Sequence, residues 1–228
     1  PVSGASMNEQ LRSRLKPVLS KRAGLALALW GEAGVGKSYT VQKLLRDLPC
    51  QSLSVHATTP FHGLVQRLPK SKKLALWAEQ TLQRVVHHDY VEDSSLLDAL
   101  GANLAALAPF VLHLEDIHEV DGEKLAFYQT LAQAVQRSKG VGLLVTSRTE
   151  PSEPFTAFRV SGLSRADSDT LLEKELGTTL PREALEWIYS KASGNPLYTL
   201  EYLRFLTRQG NIWNDGKSWH WRKPEGSF

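Results

Sequence analysis

Residues 25–48 read LALALWGEAGVGKSYTVQKLLRDL. An unbroken apolar run gives way to three glycines, a lysine and a serine, and apolar residues then return at helical spacing. The run 25–30 suits a strand buried on both faces, and the segment after Ser38 suits an amphipathic helix. Between them lies G-x-x-x-x-G-K-S. Glycine tolerates positive φ, so successive backbone N–H groups of such a loop converge on an anion. The helix behind it adds unpaired N–H groups and a partial positive charge. Gly31, Ala33, Gly34, Val35, Gly36, Lys37, Ser38 and Tyr39 are therefore candidates for holding phosphate. Lys37 would face the β- and γ-phosphates, and the Ser38 hydroxyl would ligate Mg²⁺. The plain alternative is a glycine-rich strand-to-helix turn with an exposed lysine; the flanking strand and helix favour the phosphate loop.

A phosphate loop calls for an acid at the end of a neighbouring apolar strand. FVLHLED, 110–116, supplies it. Glu115 is the candidate metal ligand, directly or through water, and Asp116 the residue that orients or deprotonates an attacking water. The alternative is that both acids only cap the next turn. The run GVGLLVTSR, 140–148, places Arg148 at the carboxyl end of another apolar strand, where open α/β sheets bind ligands, so Arg148 is a candidate γ-phosphate sensor. Its alternative is a surface pair with Glu150.

Alternating strands and helices predict an α/β fold: a parallel five-stranded sheet sandwiched by helices. The expected strands are 25–30, 50–57, 109–118, 140–148 and 158–163. A helix is expected over 8–20, and three more between 58 and 108, the last N-capped by Ser94 or Ser95. From 164 onward three helical patterns follow with no strand between them. We expect a phosphate-loop nucleotide-binding core at 1–163, a helical lid subdomain at 164–209, and a hairpin or linker at 210–228 around Asp215-Gly216. Trp213, Trp219 and Trp221 in that hairpin suit packing against the lid better than stacking on bases.

The bulk properties are those of an ordinary globular chain. Of 228 residues, 42% are hydrophobic and 22% charged, with a net charge of +3. The basic excess is diffuse, with KSKK at 70–73 its densest cluster, so DNA binding by this segment is not expected. A lone cysteine, Cys50, excludes an internal disulfide and suits a reducing cytosol. No apolar span is long enough for a membrane helix and no signal peptide is visible, so a cytoplasmic location is expected. The seven histidines show no metal-ligand spacing; His113 and Glu115 share a strand face without an apparent third ligand. The polar ends suggest a piece of a longer protein.

Taken in order, GEAGVGKS, VLHLEDIHEVD, LLVTSR and ASGNPLYTLEYL resemble the STAND class of signal-transduction ATPases, relatives of AAA+ proteins found in multidomain transcriptional activators. The resemblance spans about 24–222. It implies a P-loop NTPase that binds ATP or ADP with Mg²⁺, hydrolyses slowly, rests with ADP, and self-associates with ATP. It also implies that Gly194 and Pro196 of the lid contact the nucleotide and that Arg148 is the sensor. The usual Gly-Arg-Glu stretch near the N-terminus is missing; only Gly4 stands in its place. The acidic pair runs Glu115-Asp116 rather than beginning with Asp. Relatives continue into a winged-helix domain and sensor repeats, so a downstream output domain is expected. A small-molecule kinase, with its acceptor pocket in 58–108, and a DNA-remodelling AAA+-type ATPase are the alternatives.

Overall fold

The run after Gly24 forms β1 (Leu25–Trp30), and four more strands join it: β2 (Gln51–His56), β3 (Phe110–Glu115), β4 (Val141–Ser147) and β5 (Thr156–Arg159). The computed structural model describes residues 4–226. All pairings in this sheet are parallel, in the order β2-β3-β4-β1-β5. The fold is therefore the expected α/β architecture, a five-stranded parallel sheet with helices on it, followed by a helical subdomain and a hairpin. β4 lies between β1 and β3, an order that no local pattern encodes.

The described residues divide into two units, one of 9–32 and 41–159, the other of 4–8, 33–40 and 160–226. In the first, the strands alternate sides. Ala26, Ala28, Phe110, Leu112, Leu114, Val141, Leu143 and Val145 join one core with α5 (Asp93–Leu107) and α6 (Gly122–Gln136). That core also takes in α3 (Phe61–Arg67) and α4 (Leu76–Val86), through residues such as Leu64 and Leu82. On the opposite side, a Cβ placed at Gly142 would sit 3.4 Å from Leu15 of α1 (Gly4–Leu19), so that helix packs directly on the sheet. Arg12 of α1 pairs with Asp47 at the end of α2 (Lys37–Asp47). Each leucine fully buried this way contributes about 1.5–3 kcal/mol.

The second unit is built from α7 (Arg165–Leu176), α8 (Arg182–Ala192) and α9 (Pro196–Arg208) around Leu172, Leu185, Ile188, Leu203 and Leu206. The hairpin β6 (Ile212–Asn214) and β7 (Trp219–Trp221) closes that core with Ile212, Trp219 and Trp221. Trp221 stands 5.8 Å from the Trp187 ring, so these aromatics pack on the helices; Trp213 instead stacks with His220 outside.

Four local expectations shift. β3 ends at Glu115 rather than reaching 118, because Asp116 turns left-handed and Ile117–Glu119 form a 3-10 turn. β5 is found at Thr156–Arg159 rather than 158–163: it pairs with β1 only from Leu27↔Thr156 to Trp30↔Arg159, and β1 ends there. α5 starts at Asp93 with Glu92 as its N-cap, and neither Ser94 nor Ser95 caps it, because both already lie in the first turn. α1 begins at Gly4, four residues earlier than expected. None of the described helices is long and apolar enough to cross a membrane.

Candidate functional site

The loop residues Ala33–Thr40 and the turn between α8 and α9 belong to one unit. Lys37 is buried and opens α2 with Ser38, so the helix N-terminus stands where the motif requires it. The Thr40 N–H and hydroxyl both donate to the Gly36 carbonyl at 2.9 Å, which closes the first turn. Gly34 and Gly36 adopt φ of +83° and +99°. A Cβ on Gly36 would come within 2.8 Å of the Pro196 ring, and one on Gly34 within 3.1 Å of Asn195 Nδ2. The lid turn thus rests on the loop backbone itself.

That turn is tightly built. α8 ends on Ser193 and Gly194, both left-handed, with φ of 52° and 82°. Asn195 is extended, as a residue before proline should be, and Pro196 opens α9. Asn195 Oδ1 accepts from the N–H groups of Leu197 and Tyr198 at 2.9 and 3.2 Å, an N-cap that fixes where α9 begins. The Leu163 N–H donates to the Gly194 carbonyl at 2.7 Å, and the Tyr189 hydroxyl to the Leu163 carbonyl at 3.2 Å.

The other unit carries the remaining candidates along the carboxyl edge of its sheet. The Gly31 N–H donates to the Ser147 carbonyl at 3.1 Å, joining the ends of β1 and β4. Glu115 is the last residue of β3 and faces His56 in the ladder. Asp116 turns left-handed (φ 58°), and its N–H donates to the buried Thr146 hydroxyl at 3.0 Å. Asp116 Oδ2 lies 3.2 Å from His56 Nε2, and Glu119 Oε2 3.3 Å from the same nitrogen. Arg148, exposed, follows β4 directly, and its N–H donates to His118 Nδ1 at 3.1 Å. His113, one turn of the pleat behind, is buried with Nδ1 on Ser54 Oγ at 3.0 Å. Burial pushes its imidazole down to about 4, against the opposing pull of the Asp116 charge.

Of the expected site residues, one unit holds Ala33 through Tyr39 with Gly194 and Pro196, and the other holds Gly31, Glu115, Asp116 and Arg148. Gly4 is the first described residue of α1. Sequence reasoning missed His56, Thr146, His118, Glu119 and Asn195. Only Asn195 carried a usable signal, an asparagine before a helix-opening proline. His56 and Asp116 are 60 residues apart, so spacing hides their contact.

The residue chemistry suits a nucleoside triphosphate with Mg²⁺. Two positive-φ glycines make a loop that side chains would fill, with Lys37 a cation and Ser38 a hard oxygen beside them; in the other unit, Glu115 is a carboxylate at a strand end.

A family model described as an AAA ATPase domain matches residues 7–145. No curated protein matches the chain by sequence. Among solved structures, the Aeropyrum pernix ORC1 protein in complex with DNA is 16% identical, with TM-score 0.63, covering 90% of this chain and 60% of that one. AMPPCP-bound DnaA from Aquifex aeolicus is 11% identical, with TM-score 0.58, covering 92% and 63%. A STAND protein with a tetratricopeptide repeat sensor from Pyrococcus horikoshii is 16% identical, with TM-score 0.53, covering 81% and 28%. The chain thus spans less than two thirds of each of these relatives, and at such identities the likeness is one of fold. With the family model covering more than half of its length, the chain belongs to the AAA ATPase domain family.

Proposed function

We propose that this chain is an ATP- and ADP-binding switch module of a larger regulatory protein of the STAND kind, hydrolysing ATP slowly. The observation that carries the reading is the approach of Pro196 to Gly36, which couples the start of α9 to the backbone that would hold phosphate. In this reading Lys37 and the loop N–H groups bind phosphate, Ser38 and Glu115 hold Mg²⁺, and Gly194 and Pro196 line the nucleotide. Asp116 orients or deprotonates the attacking water, and Arg148 senses the γ-phosphate. The metal, when bound, screens phosphate charge and polarises the γ-phosphoryl group. Nucleotide-dependent self-association, an output domain elsewhere in the full protein, a role in transcription or signalling and a cytoplasmic setting belong to the same proposal. The printed description of the ORC1 relative, bound to DNA, favours one other reading, a DNA-handling ATPase; salt-sensitive duplex binding by this chain would support it. The kinase reading gains nothing, because α3, α4 and α5 turn their apolar faces into the sheet core.

Pro196→Ala tests the switch. It leaves the loop sequence intact and removes the ring that abuts Gly36. ADP affinity should fall by about tenfold, near 1.4 kcal/mol, while the melting temperature without nucleotide changes little. Unchanged ADP affinity with an ordinary loss of stability would reduce this turn to a helix start and remove the case for a lid-driven switch.

A further inference from the structure

Three side chains of metal-ligating type meet where β2 ends and the turn after β3 begins. His56 Nε2 lies 3.2 Å from Asp116 Oδ2 and 3.3 Å from Glu119 Oε2, and the three atoms lie within 4.8 Å of one another. One ring nitrogen that faces two carboxylate oxygens is held there either by its own N–H or by a cation that all three share. The two nitrogen–oxygen separations fit a shared cation as well as they fit a hydrogen bond. Ligands about 2.1 Å from a tetrahedral metal stand about 3.4 Å apart.

The surroundings can take that occupant. As the ring stands, His56 Nδ1 accepts from the Thr58 N–H at 3.2 Å, so Nε2 holds the ring proton toward the carboxylates. A cation at Nε2 would displace that proton, and Nδ1 could then donate to the Thr58 hydroxyl, 2.7 Å away. Asp116 is held by its left-handed backbone and by Thr146, and the 3-10 turn Ile117–Glu119 brings Glu119 round to the same side. The three side chains are 34%, 32% and 45% exposed, so an ion reaches them from solvent.

We propose that His56, Asp116 and Glu119 form a three-ligand site for a first-row transition cation of the zinc class, completed by water. One nitrogen and two carboxylate oxygens favour such an ion over Mg²⁺ or Ca²⁺, which take oxygen. Its three ligands share no residue with the Mg²⁺ ligands proposed above, Ser38 and Glu115. Filling it draws the Asp116 carboxylate into coordination, so the cation slows ATP hydrolysis. That consequence rests on the role proposed for Asp116; the binding does not.

The test uses metal-stripped protein without nucleotide, titrated with Zn²⁺ by calorimetry and with Co²⁺ by visible absorption. One equivalent should bind, with Co²⁺ bands of a low-coordinate site and no thiolate charge-transfer band. His56→Ala and Glu119→Gln should each weaken binding by at least about tenfold, as loss of a ligand requires. His56→Gln, with melting temperatures measured in the absence of metal, covers the case in which His56→Ala fails to fold. Two controls address rival sites: His62→Ala for the His62–His88 ring pair, whose centroids lie 4.3 Å apart, and Cys50→Ser for the lone thiol. Both should titrate like the unaltered protein. No saturable binding overturns the site, as does binding that survives in the His56 variants or disappears in either control. A protein that binds Zn²⁺ through His56 yet hydrolyses ATP at an unchanged rate keeps the site and argues against the role given to Asp116.

Discussion

Lys37 and Asp116 sit in different units of the chain, and the reading assigns them to different stages of the work, one to binding and one to chemistry. Removing the Lys37 ammonium takes away a charge-assisted contact worth about 1.5–3 kcal/mol, roughly ten- to a hundredfold in affinity. Calorimetry of Lys37→Ala should show that loss for ATP and ADP alike, and unchanged binding would end the phosphate-loop assignment. Asp116→Asn keeps the size of the side chain and the N–H donated to Thr146, but it cannot take a proton. It should hold ATP as before while turnover falls about a hundredfold or more, since water activation matters only in the transition state. Loss of binding in Asp116→Asn but not in Glu115→Gln would mean that the two acids have exchanged roles.

The element that matters most is the turn from α8 into α9. Its course depends on two positions that admit no side chain. Gly36 has φ of +99° and meets the Pro196 ring, and Gly194 has φ of +82° with its Cβ direction blocked 2.7 Å away by the Leu163 carbonyl. A non-glycine residue in the left-handed region costs of order 1–2 kcal/mol before any clash is counted. Gly194→Ala should therefore lower the melting temperature, because Leu163 must give up its 2.7 Å hydrogen bond. Gly36→Ala should spare the fold more and weaken ADP more, because the loop is short and exposed on its approach. Thermal melts with and without ADP separate the two, and an equal response from both variants would contradict a loop-to-lid coupling.

At the scale of the whole molecule, the sheet carries a buried base that links its stability to pH. His113 has its imidazole held down at about 4 by burial, below the ordinary 6.5, so the unfolded chain binds a proton that the folded chain refuses. Its contribution is intact above pH 6.5 and is lost as pH falls toward 4, at up to about 1.4 kcal/mol per pH unit and roughly 3 kcal/mol in all. His113→Gln, which keeps a partner for Ser54, should flatten that part of the acid limb. Parallel curves of unfolding free energy for the two proteins between pH 6.5 and 4 would show that His113 does not set it.

Short-range patterns were enough to reveal the strand–loop–helix around GEAGVGKS, the five strands, the three helices of the lid and the aromatic hairpin. Each of these rests on residues within one turn or one pleat of each other, where periodicity and glycine or proline chemistry act directly. The acids at the end of β3, Glu115 and Asp116, and the arginine after β4 were legible for the same reason, as chemistry placed at strand ends. The sheet order was not, because strands from distant parts of the chain are chosen by how their two apolar faces share α1 on one side and α5 and α6 on the other. Nor was the meeting of His56 with Asp116 and Glu119, since parallel pairing of β2 with β3 sets it across 60 residues. The seat of Pro196 on Gly36 likewise depends on where a core of three helices puts α9. Local sequence therefore determined which chemical groups this protein carries and at which element ends. Tertiary packing alone decided which of them touch, because contact between distant segments is settled by the burial of faces that no single segment can complete.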